Sequence, residues 1–68
     1  MELSARNKLK GTVKKITLGQ VMAEITLDIG GTEVVAVVTK ASAERLGLKE
    51  GETAYAVIKA TEIMVGKE

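Results

Sequence analysis

Apolar and polar residues alternate along the chain between Gln20 and Ile29. Every second residue from Val21 to Ile29 is apolar, and the residues between them are polar except for Met22. A period of two is typical of a strand with one buried face. This segment therefore predicts a half-buried strand.

A weaker alternation precedes it, from Leu9 to Val13. The parity changes at Lys14–Lys15, where a charged residue stands at a position due to be apolar. An inserted residue in one strand of a pair produces this kind of shift. We expect a first strand with a bend or bulge at Lys14–Lys15, joined to the next strand by a turn at Leu18–Gln20.

Two later segments are apolar on both faces, Glu33–Thr39 and Thr53–Ala60. Gly30-Gly31 precedes the first of them and predicts a tight hairpin, because such turns need positive φ at their centre. A strand without a polar face is covered on both sides. In a chain of 68 residues we expect a second subunit to supply the outer cover.

A short helix interrupts the strands at Lys40–Leu46, with Thr39 as its N-cap and Gly47 as its left-handed C-terminal residue. Ile63–Val65 predicts a last short strand. The order of elements predicts a mainly β protein, a five-stranded OB-like Greek-key barrel with one short helix between the third and fourth strands. We expect one domain over residues 1–68.

The amino-acid composition excludes several classes of function. The chain has no Cys and no His, which excludes thiol or imidazole catalysis and a structural zinc site. An enzyme is therefore the least favoured class. Small cores usually depend on large aromatic rings, but the chain has one Tyr and no Phe or Trp, which favours association with copies of itself. The opening lacks the basic and apolar regions of a secretory signal, and no stretch is long enough to span a membrane. We expect a cytoplasmic protein without membrane contact.

Three short polar clusters differ from the apolar segments around them; they lie at 4–7, 39–42 and 59–61. They supply hydroxyls, one guanidinium, ammonium groups and backbone N–H groups, and none contains a carboxylate. Such donors favour a small oxyanion. Each residue also has an ordinary structural interpretation: Arg6 as a surface charge, Thr39 and Ser42 as helix caps. Lys59 is the least ordinary because it follows an apolar run.

Three motifs carry a family resemblance. Ser4–Gly11 reads SARNKLKG, Thr39–Gly51 reads TKASAERLGLKEG, and Val57–Met64 reads VIKATEIM. In this order they resemble the molbindins, small Mop-type molybdate-binding proteins related to the TOBE domain. The opening octapeptide is the most specific of the three.

The resemblance implies an OB-like subunit in a homohexamer, arranged as a trimer of dimers, that binds molybdate or tungstate at its subunit interfaces. No free metal cation is implied. The oxyanion ligands implied by position are Ser4, Ala5 through its backbone, Arg6, Thr39, Ser42, Lys59 and Ala60 through its backbone. Lys40 and Thr61 are secondary candidates. The implied role is intracellular storage and homeostasis of the anion.

Two other classes remain open. An OB-type module could bind nucleic acid or another protein, although a net charge of +1 and one aromatic residue argue against nucleic acid. A purely structural domain that scaffolds something else is the third possibility.

Overall fold

The computed structural model describes residues 6–68, so the predictions for Ser4 and Ala5 lie outside the described residues. Its elements are, in chain order, β1 (Asn7–Leu18), β2 (Met22–Ile29), β3 (Thr32–Thr39), α1 (Lys40–Leu46), β4 (Thr53–Ile58) and a 3₁₀ turn (Ala60–Glu62). The four strands form one sheet in the order β3-β2-β1-β4, and every neighbouring pair is antiparallel. The mainly β fold with one helix between β3 and β4 is as predicted.

The predicted irregularity in β1 is confirmed. The register between β1 and β2 shifts between Val13 and Lys15. Val13 exchanges two backbone hydrogen bonds with the loop before β4: its N–H donates to the Glu52 carbonyl and its carbonyl accepts from Gly51 N–H, both at 2.8 Å. The Glu50 carboxylate accepts from Ile16 N–H at 3.0 Å. Hydrogen bonds at the bulge thus hold the loop that leads into β4.

The predicted hairpin between β2 and β3 is also confirmed. Gly30 and Gly31 have φ of +59° and +93°, the positive values that a two-residue hairpin turn requires. The Asp28 carboxylate accepts from Gly31 N–H at 2.9 Å and closes the turn. This turn fixes the register that places Thr39, at the end of β3, opposite Met22.

The core is small and made of aliphatic residues. Its fully buried members, among the residues described, are Val13, Ala23, Ile25, Leu27, Ala43 and Ala56. The edge strands β3 and β4 are apolar on both faces, as predicted. On the outer face of β3, Val35 and Val37 are 56% and 61% exposed, so one copy of the chain leaves this face uncovered.

The prediction of a fifth strand at Ile63–Val65 is wrong for the single chain. The described structure has a four-stranded sheet, and β4 ends at Ile58 rather than Ala60. Glu62 N–H donates to the Lys59 carbonyl at 2.9 Å, which turns the chain into the 3₁₀ turn. A strand needs a ladder partner, and no strand of the described sheet pairs with residues 63–65.

Gly11 generates the first testable prediction. It lies in the middle of the sheet, and a Cβ added there would lie 2.6 Å from the backbone carbonyl oxygen of Asp28. Gly11→Ala should therefore lower the free energy of unfolding by about 1–3 kcal/mol, since the strand backbones must separate. Chemical denaturation measures this directly.

Gly66→Ala is the matched control, because no atom lies within 4 Å of a Cβ at that position. Equal unfolding midpoints for Gly11→Ala and the wild type would contradict the tight approach of β1 and β2.

Candidate functional site

The first and third polar clusters meet at one end of the β1–β4 ladder. Asn7 lies opposite Ile58 in the register, and its side-chain amide donates to the Ile58 carbonyl at 3.2 Å. Arg6 immediately precedes this pair and Lys59 immediately follows it, and both side chains are exposed. The fold therefore brings a guanidinium and an ammonium to the same edge of the molecule.

The backbone beyond Lys59 turns at once. Lys59 itself is extended, with φ −67° and ψ 137°, and its carbonyl accepts the N–H of Glu62. Ala60 and Thr61 form the first two positions of the 3₁₀ turn, both exposed. Backbone N–H groups at the start of such a turn have no partner from the preceding turn, so this end of β4 combines positive charge with exposed backbone.

The second polar cluster lies at the start of α1. The Thr39 hydroxyl accepts from Ser42 N–H at 3.0 Å and donates to the Ser42 hydroxyl at 2.7 Å. Thr39 is therefore the N-cap that the sequence predicted. The backbone N–H of Lys40 donates to the Val21 carbonyl at 2.7 Å, which leaves Lys40 only its side chain for any ligand.

Arg45 belongs beside this cluster, and the sequence analysis missed it. Its guanidinium donates to the Ser42 hydroxyl at 3.2 Å. The signal was present in the spacing, because residues three apart on a helix are neighbours. Arg45 adds a cation next to the two hydroxyls.

One chain does not bring all the predicted site residues together. Arg6 and Lys59 lie where β1 begins, whereas Thr39 pairs with Met22 near the end of β1. The whole of β1, twelve residues long, lies between these two groups. Each copy thus carries two separate groups of candidate ligands, which we call half-sites, and a site that used both would need residues from more than one copy.

The TOBE domain matches residues 3–65. The chain belongs to the TOBE-domain family. Within this family it is similar to molybdenum-pterin-binding protein 3 of Clostridium pasteurianum, with 47% identity over 66 residues, 96% of this chain and 97% of the relative. This match, close to full length on both sides, confirms the resemblance to the molbindins.

Solved structures agree with this assignment of a TOBE domain. A molybdate-binding protein from Sporomusa ovata superposes with a TM-score of 0.93 at 49% identity, covering 98% of this chain and 100% of that one. The cytoplasmic molybdate-binding protein ModG, with molybdate bound, gives a TM-score of 0.83 at 57% identity over 88% of this chain and 43% of its own. The four-stranded sheet with its single helix is thus the fold of these relatives.

Two further observations concern residues 6–68, the part of the chain that the structure describes. No helix in this range is both long and apolar enough to cross a membrane. No group of three or more His, Cys, Asp and Glu residues there is arranged to hold a metal ion.

The capping geometry at α1 generates the second prediction. Thr39→Ala removes the oxygen that accepts from Ser42 N–H, so the anion-free protein should lose about 1 kcal/mol of stability, the usual cost of a lost N-cap. Thr39→Ser keeps the hydroxyl and should retain most of this stability. Chemical denaturation of the two variants checks the assignment, and equal losses would show that the methyl group matters rather than the cap.

Proposed function

We propose that this chain binds molybdate, and tungstate in the same sites, and holds the anion without changing it chemically. The observation that carries the proposal is the placement of Arg6 and Lys59 together at one end of the β1–β4 ladder. The relatives support it: proteins named for binding molybdenum-pterin or molybdate match nearly the whole chain.

The chemistry of the half-sites suits a tetrahedral dianion. An oxyanion needs several hydrogen-bond donors at about 2.7–3.0 Å and compensating positive charge. Arg6 and Lys59 supply the charge, and Ser4 with the backbone of Ala5 and Ala60 supplies further donors. Thr39 and Ser42 supply hydroxyls from the other half-site, with Lys40 and Thr61 as secondary ligands.

Two half-sites at opposite ends of a subunit favour binding between copies. We propose that the copies form a homohexamer, a trimer of dimers, in which each subunit is completed as a five-stranded OB-like Greek-key barrel. The whole chain, 1–68, acts as one Mop domain in the cytoplasm, with storage and homeostasis of the oxyanion as its role and no enzymatic activity. Binding and assembly are then linked, because an anion that binds only the assembled form stabilises it.

The rival function, an OB-type nucleic-acid module, is less well supported by the outer face of the sheet. Lys14 forms an ion pair with Glu33. Its pKa is raised by the hydrogen bond from its ammonium to Glu33 and by that carboxylate's charge, with a smaller contribution from Asp28. Lys14 on β1 thus has acidic neighbours on β2 and β3, and nucleic-acid surfaces need an excess of positive charge.

Ligand selectivity is the third prediction and the direct test of function. Calorimetric titration should give similar affinities for molybdate and tungstate, and much weaker binding of sulfate, which has the same charge and shape but a smaller radius. A short oligonucleotide in the same experiment should not bind. Equal affinity for all three anions would show that the site binds anions without selectivity. Tight oligonucleotide binding would favour the nucleic-acid module instead.

Lys59 provides the fourth prediction. Lys59→Ala removes one charge-assisted hydrogen bond to the dianion, so molybdate affinity should fall roughly tenfold to hundredfold. The stability of the anion-free protein should not fall, because in the absence of the anion Lys59 lies close to another cation, Arg6. The increase in melting temperature on adding molybdate should shrink accordingly.

Lys49→Ala is the matched control. Lys49 is an exposed lysine in the turn after α1, away from the Lys59 end of β4, and its replacement should change neither affinity nor stability. Wild-type molybdate affinity in Lys59→Ala would show that Lys59 is not a ligand.

A further inference from the structure

Two cations face each other across the end of the β1–β4 ladder. Asn7 pairs with Ile58 in the antiparallel register, and the same register, continued by one residue, puts Arg6 opposite Lys59. The backbone of Lys59 is still extended, with φ −67° and ψ 137°, which agrees with this continuation. Residues directly opposite each other in an antiparallel pair have Cβ atoms about 4.5–5.5 Å apart. The two positive side chains therefore leave the backbone as near neighbours.

This pair of cations is unfavourable without a ligand. Like charges directly opposite each other destabilise a pair of strands. Within residues 6–68, the ion pair that the structure shows joins Lys14 to Glu33, so no carboxylate of this range pairs with Arg6 or Lys59. The ladder ends at Asn7 and Ile58, immediately before the two cations. Repulsion between the cations therefore tends to separate the two strand ends.

The Asn7 side chain holds the strands together at this point. Its amide nitrogen donates to the Ile58 carbonyl at 3.2 Å, across 51 positions of sequence. Asn7 is half-buried, whereas Arg6 and Lys59 are exposed. The Ile58 carbonyl belongs to the planar peptide unit that joins Ile58 to Lys59. The hydrogen bond therefore restricts the direction in which the Lys59 side chain leaves β4.

We propose that Asn7 is a positioning residue of the oxyanion site, whose side-chain amide keeps Arg6 and Lys59 opposite each other before the anion binds. Groups that are already in place lose less freedom on binding, so the affinity for the anion is higher. Asn7 acts through Lys59 and not by contact with the anion. This role rests on the proposed function and adds to it a residue outside the set of ligands.

A double-mutant cycle on molybdate affinity tests this role. Asn7→Leu keeps a side chain of similar size and removes the donor, so calorimetric titration should show about fivefold weaker binding, the usual effect of one neutral hydrogen bond. In the Lys59→Ala background the cation that Asn7 positions is absent. There Asn7→Leu should weaken binding by less than about twofold.

Lys49→Ala is the matched background, because it removes an exposed lysine of the turn after α1 and leaves Lys59 in place. Asn7→Leu should keep its full loss of affinity there. An equal loss in the wild type and in Lys59→Ala would overturn the positioning role, since Asn7 would then act independently of Lys59. Wild-type affinity in Asn7→Leu would overturn it as well.

Melting temperatures without molybdate test the repulsion that Asn7 resists. An ionised carboxylate cannot donate to the Ile58 carbonyl, but Asn7→Asp places a negative charge beside the two cations. Adding Lys59→Ala should therefore lower the melting temperature of Asn7→Asp, which loses an attraction. The same change should raise the melting temperature of Asn7→Leu, which loses a repulsion. Both differences should shrink at high salt, and a change of the same sign in both variants would overturn the proposal.

The role of Asn7 and the oxyanion function can fail separately. Tight molybdate binding with an equal effect of Asn7→Leu in every background would contradict only the role of Asn7. A wild-type protein that does not bind molybdate would contradict the oxyanion function and, with it, a positioning role for Asn7 in that function. The melting temperatures of the anion-free variants would in that case still show whether Asn7 holds two repelling cations together. Circular dichroism should show unchanged β content in every variant.

Discussion

The apolar outer faces of the edge strands are the constraint on which the rest of this molecule depends. β3 exposes Val35 and Val37, and β4 exposes Tyr55 and Val57. The buried core beneath them consists of a few aliphatic side chains, too little to stabilise a small domain comfortably by itself. Association would cover these faces and so stabilise the chain, which is why we propose that the ligand sites lie between copies.

Positive charge at the two half-sites is also consistent with anion binding between copies. Arg6 and Lys59 flank the pairing of Asn7 with Ile58 at one end of the sheet, while the Arg45 guanidinium donates to the Ser42 hydroxyl at the other. Like charges at short range repel, and a bound dianion converts that repulsion into attraction. In the proposed assembly, a bound anion would therefore strengthen the contact between copies.

The local structure could be predicted from the sequence because short-range rules govern it. The bulge near Lys14, the Gly30-Gly31 turn and the caps at Thr39 and Gly47 each depend on a few neighbouring residues, and each was confirmed. The strand at Ile63–Val65 was predicted wrongly for the single chain, because apolar residues alone do not supply the ladder partner that a strand needs. Ser42 and Arg45 are three residues apart on α1 and so are neighbours, but this spacing alone does not show that the guanidinium donates to the Ser42 hydroxyl. Site residues could be grouped by type, but only the register between β1 and β4 put Arg6 near Lys59.

The antiparallel pairing of Asn7 with Ile58 has a consequence for gene fusion. The start of β1 and the end of β4 therefore lie at the same end of the sheet. A short connection could join two copies in tandem there without crossing either face of the sheet. In such a fused chain the residues after β4 would be a link within one polypeptide. Assembly would then no longer depend on protein concentration at that interface, because the effective concentration of a tethered neighbour replaces that of a free one.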